Sequence, residues 1–272
     1  MKLITGKSSQ SVLKRLANRG ALDLARAEKT AAKIVNDVRK SGDAAVLRYS
    51  RKFDGFTGKT MRVSESEISG AWQQVTPEFR QALETAARNI RRFCEWQKPQ
   101  EWMRDVQPGF KLGQLVRPLE SVGCYVPGGR HPLPSTLLMT VIPAQVAGVP
   151  RIVVVSPRPA LETLAAASLL GVKEVYGVGG AQAIAALAYG TRSISRVNKI
   201  VGPGNAYVTA AKKLVAFDCF IDMLAGPTEV VVLAESGNPT FIAADLVAQA
   251  EHDPDALAIF VTANRKFAAQ VV

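Results

Sequence analysis

Gln249 and His252 stand three residues apart near the carboxyl end of the sequence, within DLVAQAEHDPD, residues 245–255. If this run is a helix, that spacing puts both side chains on one face, about one turn apart. An amide oxygen beside an imidazole could form part of a metal site, although zinc more commonly takes His, Cys and carboxylate ligands. The alternative is an exposed helix end that stops at Pro254 without any metal, and the pair by itself favours that alternative.

Two glycine-rich turns, each between a predicted strand and a predicted helix, could bind a nucleotide. VYGVGGAQAI (residues 175–184) resembles a dinucleotide-binding turn, but Gln182 stands where the fingerprint has its third small residue. IVGPGNAYV (residues 200–208) has two glycines around a proline, and Asn205 is predicted to cap the following helix. Because helix N-termini bind anions, two such turns in one sheet favour a nucleotide or phosphate ligand. The alternative for the first is a tight turn that needs glycine only for its backbone conformation.

Three further side chains could take part in chemistry, and each also has a simpler explanation. Tyr125 lies in VGCYVPGGRHPLPST (residues 122–136), which is rich enough in glycine and proline to predict a loop, and its ring could stack on a planar ligand or simply pack. Cys124 could be a nucleophile, but no base is identifiable near it, so an inert buried thiol is favoured. Thr228 follows a Gly-Pro turn, where a hydroxyl suits the turn as well as it suits a ligand.

The first hundred residues are predicted to be helical. In residues 21–43, apolar side chains recur every three or four positions and form one stripe, which Gly42 is expected to end. In residues 76–96, Thr76 is the predicted N-cap and Pro77 suits the first helical position. The apolar residues between Phe79 and Phe93 are predicted to share one face of this second helix.

From about residue 119, short β-branched runs alternate with alanine-rich helical runs. This alternation predicts an α/β fold with a largely parallel sheet. In such sheets, ligands bind at the carboxyl ends of the strands, which is where both glycine-rich turns fall. The predicted strands lie in RIVVVSP, VKEVYGVGG, VNKIVGPG, TEVVVLAES and ALAIFVTA.

The composition is that of a globular protein, with a net charge of +11 that lies entirely in the first part. Residues 1–118 hold 23 Lys and Arg against 12 Asp and Glu, whereas residues 119–272 hold 11 of each. A solvated basic face is favoured over a polyanion-binding surface, so no nucleic-acid partner is expected. No apolar run is long enough for a membrane helix, and neither a secretory signal nor a membrane partner is expected. Three widely spaced cysteines favour free thiols and a cytoplasmic location.

Taken together, the motifs resemble one family, the histidinol dehydrogenases, which are zinc- and NAD-dependent enzymes of histidine biosynthesis. The resemblance covers nearly the whole chain, including VRKSGDAAVLRYSRKFDG near the N-terminus. It implies that Tyr125, Gln182 and Asn205 contact NAD. The motifs that carry it are, in order, SVGCYVPGG, GVGGAQAIAALAYGT, KIVGPGNAYV, IDMLAGPTEV and DLVAQAEHDPD.

The resemblance also implies the substrate and the metal. Thr228, Gln249 and His252 match substrate-contacting positions, and Gln249 and His252 match two zinc ligands. The reaction implied is the oxidation of L-histidinol to L-histidine through a bound aldehyde, with reduction of two NAD, in a homodimer. The family's catalytic Glu-His pair and its other two zinc ligands are expected beyond residue 272, so the catalytic residues are not found in this chain. Its activity alone is expected to be impaired, because zinc needs four ligands and the reaction needs a base.

The fold expected is α/β, with two Rossmann-like parallel-sheet domains and a helical, basic N-terminal region. Residues 1–20 would form an N-terminal segment, residues 21–123 with 229–272 a first, discontinuous domain, and residues 124–228 a second, NAD-binding domain. Two alternatives stay open. One is a catalytically dead paralogue that binds a nucleotide or a partner protein, and the other is a polyanion-binding protein that uses residues 1–118.

Overall fold

The chain divides into two compact units, Asp23–Leu224 and Met1–Leu22 with Ala225–Val272. The side chains at positions 8, 9, 15, 17, 21–24 and 252 are not described. The computed structural model describes residues 4–6, 8–17, 21–128, 132–224, 226, 228–252 and 256–272.

Helices dominate the N-terminal hundred residues, as predicted. The helix ends follow the capping chemistry, since the Thr76 hydroxyl accepts a hydrogen bond from the Phe79 N–H at 3.2 Å and Pro77 takes the first helical position. Gly42, with φ of 51°, follows the last residue of the second helix. The helices are α1 (Ser8–Ala17), α2 (Ala21–Ser41), α3 (Asp43–Asp54), α4 (Glu65–Gln74) and α5 (Pro77–Gln97).

The apolar faces of α2 and α5 agree with the predicted stripes to different extents. On α2, the described members of the stripe from Ala27 to Val38 are buried. On α5, Leu83 is buried, but Phe93 is 56% exposed. Phe79, Ala86 and Ile90 are partly buried against the same cluster as Leu83, so burial of the predicted apolar face does not extend to Phe93.

A two-stranded antiparallel hairpin follows α5 and was not predicted. It consists of β1 (Trp102–Gln107) and β2 (Phe110–Gln114), and all of its residues are exposed. Gly109, with φ of 79°, lies in its turn.

A five-stranded sheet forms the centre of the larger unit, and all of its strands are parallel. This confirms the α/β prediction. The strands are β3 (Ser121–Tyr125), β4 (Arg151–Val155), β5 (Glu174–Tyr176), β6 (Lys199–Val201) and β7 (Phe220–Ile221), in the order β5-β4-β3-β6-β7. The helices α6 (Pro134–Val146), α7 (Leu161–Leu169), α8 (Gly180–Tyr189) and α9 (Ala206–Val215) follow the first four strands in turn.

The strand order makes β3 and β6 the place where the direction of winding reverses. The chain moves outward from β3 through β4 to β5, returns to β6 on the other side of β3, and ends at β7. In open α/β sheets, the carboxyl ends of the two strands at such a reversal border the crevice in which ligands bind. Tyr125, the last residue of β3, and Gly202, the first residue after β6, therefore border this crevice.

The loop predicted for residues 122–136 is wrong at both of its ends. Residues 122–125 belong to the fully buried strand β3, and α6 begins at Pro134. Gly123 lets the Leu187 side chain pack close to the strand, since an added Cβ would lie 2.8 Å from it. Proline is compatible with a helix when it takes the first position, as Pro134 does. The glycine and proline content of the whole stretch therefore concealed a short buried strand and a helix start.

Alternate residues of the sheet pack against helices on opposite faces. Val153 and Val155 of β4 belong to a core cluster with α2, α3, α8 and α9, whereas Val154 packs in a second cluster with α5, α6 and α7. This arrangement buries both faces of the sheet, which explains why its strands are continuously apolar rather than alternating.

The smaller unit contains a parallel pair of strands joined by a helix. Its core is a small cluster around Leu246, Phe267 and Val271. Its elements after residue 228 are β8 (Glu229–Leu233), α10 (Pro239–His252), β9 (Leu257–Val261) and α11 (Arg265–Val271).

The two compact units divide the chain differently from the domains expected from the sequence. The expected boundary at 123/124 falls inside β3. The arrangement as two Rossmann-like domains stays a prediction. No helix in the described ranges is both long enough and apolar enough to cross a membrane.

Candidate functional site

Tyr125 connects the first crevice strand to the glycine turn before α8. Its side chain is 3% exposed, and its hydroxyl accepts a hydrogen bond from the Gly180 N–H at 3.0 Å. Burial raises the pKa of the Tyr125 phenol to about 12, and the charge of Asp54 adds to the shift. Of the two explanations open from the sequence, this geometry supports packing, since a ring so buried is not an open stacking platform.

The turn before α8 needs its glycines for packing. Gly180 has φ of 62°, and a Cβ on Gly179 would lie 2.6 Å from the Pro157 ring. Gly179, the N-cap residue of α8, has no side chain to cap the helix, and the N–H of Gly180, the first helical residue, is bound by the Tyr125 hydroxyl. The turn therefore brings the positive end of a helix dipole to the carboxyl edge of the sheet, where an anion would be stabilised.

Gln182 lies beneath this turn and is held by a carboxylate that the sequence analysis did not identify. Its side chain is 1% exposed, and its Nε2 donates to Asp54 Oδ2 at 3.0 Å. Burial raises the pKa of Asp54, and hydrogen bonds from Gly179 and Gln182 and the charge of Arg158 oppose that shift. Asp54 is the last residue of α3, where the helix dipole disfavours an acid. An acidic residue at the end of a predicted helix could therefore have indicated, from the sequence, that Asp54 has a specific partner.

The second glycine turn packs directly against the end of β3. Gly202 has φ of 111°, and a Cβ there would lie 2.2 Å from the Tyr125 carbonyl oxygen. Asn205 caps α9, as predicted, because its Oδ1 accepts hydrogen bonds at 3.1 Å from the N–H groups of Tyr207 and Val208. The ends of β3 and β6 and the start of α9 therefore meet at the crevice.

A buried ion pair lies behind this second turn. Lys212 of α9 is 1% exposed, and its Nζ forms an ion pair with Asp222 and donates to the Gly202 carbonyl at 3.0 Å. The sequence analysis did not identify this pair. Lys212 falls on the same stripe of α9 as the buried Val208 and Val215, and a charge on an apolar stripe was the signal.

Cys124, the other candidate in β3, is fully buried, and burial raises the pKa of its thiol to about 12. The thiol therefore stays protonated at neutral pH. Because the thiolate is the nucleophilic form, this supports the inert explanation.

The predicted substrate and metal residues belong to the smaller unit. Thr228 is exposed just before β8, and its carbonyl accepts a long hydrogen bond of 3.4 Å from Gln249 Nε2. His252 is the last residue of α10, and its side chain lies outside the described part of the structure. The structure therefore brings Thr228 and Gln249 together. It gives no geometry for the imidazole.

The described donors fit a nucleotide better than they fit a metal. Across the described residues, no group of three or more His, Cys, Asp or Glu side chains could hold a metal ion. Since a zinc site takes at least three protein ligands, these residues do not form one by themselves. The crevice of the larger unit, by contrast, combines two helix N-termini with two close glycine turns, which is the chemistry that binds a dinucleotide pyrophosphate.

Comparison with known proteins agrees with the motifs. Residues 17–272 match the family model for histidinol dehydrogenase. The chain is 49% identical over 263 residues to the histidinol dehydrogenase of Methanothermobacter thermautotrophicus, covering 94% of this chain and 62% of that relative. It is 50% identical over 262 residues to the Aquifex aeolicus enzyme, covering 95% of this chain and 61% of that relative. The chain therefore spans about three fifths of the length of these curated relatives.

A solved structure has the same fold. The crystal structure of histidinol dehydrogenase from Elizabethkingia anophelis superposes with a TM-score of 0.84 at 40% identity, covering 89% of this chain and 58% of that one. The sequence match, the structural match and the order of the motifs lead to one assignment: the chain belongs to the histidinol dehydrogenase family.

Proposed function

We propose that this protein oxidises L-histidinol to L-histidine with NAD as the electron acceptor. The observation that supports this most is the crevice between the carboxyl ends of β3 and β6, where Tyr125 meets the turns that begin α8 and α9. Because the chain spans about three fifths of its curated relatives, the complete reaction is proposed for the whole protein.

The cofactor site proposed consists of Tyr125, Gln182 and Asn205. NAD would accept the hydrides that the substrate loses. In this proposal, the N-termini of α8 and α9 face the pyrophosphate, since backbone N–H groups and the helix dipole stabilise an anion there. Asn205 keeps α9 in place through its Oδ1 while its amide nitrogen can donate to the cofactor. Tyr125 and Gln182, both buried, would act mainly by holding the first glycine turn in shape.

The substrate and metal residues proposed are Thr228, Gln249 and His252. Gln249 and His252 would each give zinc one ligand, and the remaining ligands would come from elsewhere in the whole protein. Thr228 would contact the substrate. Support comes from family membership and from the contact between Gln249 and Thr228, which keeps these two residues adjacent.

We further propose a cytoplasmic homodimer whose partner is a small-molecule substrate, with no nucleic-acid or membrane partner. The pairing of some basic side chains with acids supports the proposed absence of a nucleic-acid partner. Arg48, Arg117 and Lys213 each form an ion pair with an acid of the same chain, so part of the excess charge is neutralised locally.

The cofactor assignment is tested with substitutions at Asn205. Asn205→Asp keeps a side-chain oxygen that can cap α9 but replaces the amide donor with a negatively charged carboxylate oxygen. We expect its unfolding free energy to be nearly unchanged and its affinity for NAD, measured by calorimetric titration, to fall by about tenfold or more, because a hydrogen bond to the cofactor is replaced by repulsion of the pyrophosphate.

The matched control is Thr76→Ala, which removes a similar N-cap from α5, on the face of the sheet opposite α9. It should cost about 1 kcal/mol of stability without changing NAD affinity. Equal NAD affinity in Asn205→Asp and wild type would contradict the assignment of Asn205. The proposed reaction itself would be wrong if the whole, zinc-loaded protein formed no NADH from L-histidinol, followed by absorbance at 340 nm.

A further inference from the structure

The buried ion pair behind the second glycine turn does more than connect two side chains. Asp222 lies just after β7, and its Oδ2 accepts a hydrogen bond from the Gly202 N–H at 2.8 Å. Lys212 Nζ donates to the Gly202 carbonyl at 3.0 Å and pairs with the other oxygen of the same carboxylate. The N–H of Gly202 is therefore bound by a carboxylate and its carbonyl by an ammonium group, and these two charged groups also form an ion pair with each other.

Removing two charged side chains from water costs free energy, so the presence of this ion pair calls for an explanation. The Lys212 side chain is 2% exposed and that of Asp222 is 28% exposed, so both charges give up hydration. Apolar residues of similar volume often stabilise a fold as well as a buried ion pair does. Most other buried side chains of α8 and α9 are apolar, so packing alone does not require charges here.

The pair acts on a residue whose backbone conformation is one that only glycine adopts readily. Gly202 has φ of 111°, and its Cα lies so near Tyr125 that a Cβ would meet the carbonyl oxygen at 2.2 Å. Three residues later, Asn205 begins α9. Fixing the Gly202 peptide groups therefore fixes how the chain leaves β6 and where the N-terminus of α9 lies.

We infer that Lys212 and Asp222 are positioning residues for the pyrophosphate of the dinucleotide, acting through the Gly202 turn rather than by contact with the ligand. This inference rests on the proposed NAD site. The pair preorganises the turn at the crevice, so that binding does not have to order it. Neither side chain takes part in hydride or proton transfer.

Single and double substitutions separate positioning from simple stability. Lys212→Met removes the donor to Gly202, and Asp222→Asn keeps an acceptor oxygen but removes the charge. Each single variant leaves one buried charge unpaired, so we expect each to lose stability and to bind NAD about tenfold or more weakly. The double variant Lys212→Met/Asp222→Asn has no buried charge, so it should regain stability while NAD binding stays weak.

The control is another ion pair of the same sheet. Arg151 and Glu174 pair across the amino ends of β4 and β5, with side chains 28% and 24% exposed. Glu174→Gln should lower stability without changing the affinity for NAD. Unfolding in urea and NAD titration of the 272-residue chain are measured for all four variants.

The outcomes distinguish the inference from the function on which it rests. Weak NAD binding in the stability-restored double variant supports positioning. Recovery of NAD binding together with stability, or an equal loss in Glu174→Gln, would overturn it and leave the NAD site intact. Absence of NAD binding by the wild-type chain would overturn both the inference and the proposed nucleotide site.

Discussion

At the scale of single residues, the glycine turns of the crevice are held largely by a few buried polar groups. Three of these groups are almost fully buried. The Tyr125 hydroxyl binds Gly180 and Lys212 binds Gly202, so each contacts a glycine turn directly. Gln182 supports the first turn through its bond to Asp54. Burial makes such bonds important because a polar group that loses its partner in the interior is not rehydrated. These residues therefore fix the conformation of the glycine turns without being exposed in the crevice themselves.

Tyr125→Phe removes the hydroxyl that accepts from Gly180 and leaves that partly buried N–H without its partner. We expect a loss of about 1–3 kcal/mol in unfolding free energy, because the desolvation cost of the N–H is no longer offset. Urea denaturation followed by circular dichroism measures it. Tyr207→Phe is the control, since Tyr207 is 44% exposed and its substitution should change stability by less than about 0.5 kcal/mol. Equal effects in the two variants would show that the Tyr125 hydroxyl is not structurally important.

Alkaline pH should destabilise the chain through Cys124. Its pKa is about 12 in the folded chain against an ordinary value of 9.0, so the fold favours the protonated thiol. The unfolded chain releases this proton first as pH rises. The stabilisation is therefore complete below about pH 9 and is lost progressively between about pH 9 and 12, at about 1.4 kcal/mol per pH unit.

In Cys124→Ala, the unfolding free energy should fall less steeply with pH above pH 9, because one fewer proton is released on unfolding. Urea denaturation at several pH values measures this slope. Cys94→Ala is the comparison, because Cys94 is only partly buried and its pKa is raised by burial to a smaller extent. A pH dependence that is the same in wild type and Cys124→Ala would contradict the assignment.

At the scale of elements, local patterns predicted the helices and their caps well and the short strands less well. Thr76 and Asn205 cap α5 and α9 as expected, because a cap is decided within three or four residues of sequence. The strand β3 was mistaken for a loop, since a five-residue strand that contains glycine has too few positions to show a period. The exposed hairpin β1–β2 was also missed, since its strands have only six and five residues.

The close approach of the ends of β3 and β6 is tested by alanine at Gly202. Gly202→Ala combines a φ of 111° with a clash at 2.2 Å, so we expect a loss of at least about 3 kcal/mol. Gly171→Ala is the matched control, because Gly171 has φ of 66° and no other atom within 4 Å of an added Cβ. Its cost should be only about 1 kcal/mol, from backbone strain. Similar losses in the two variants, measured by urea denaturation, would mean that the strands can separate without penalty.

At the scale of the whole molecule, the two compact units differ in how much structure supports them. The larger unit has a five-stranded sheet buried on both faces by helices. In the described part of the smaller unit, the sheet has two strands and the core cluster is small. Small cores open at lower free energy, so the two units should differ in local stability.

Leu246→Ala tests this difference, because Leu246 is 2% exposed and is central to the smaller cluster. Loss of such a leucine typically costs about 2–5 kcal/mol. We expect faster amide hydrogen exchange in residues 229–271 and unchanged exchange in β3 and β4, measured by mass spectrometry. Val141→Ala in α6, also fully buried but in the larger unit, is the control and should have the reverse pattern. Uniform acceleration along the chain in Leu246→Ala would indicate a single cooperative unit.

The local sequence was sufficient for the family motifs, the α/β alternation and the Asn205 cap, because each is encoded within a few neighbouring positions. The packing of Gly202 against Tyr125, the burial of Lys212 and the bond between Asp54 and Gln182 became visible only in three dimensions. Asp54 and Gln182 are 128 positions apart, and Tyr125 meets Gly202 only because β6 inserts beside β3. Strand order and long-range packing depend on how the whole chain buries its apolar surface, and no short stretch of residues carries that information.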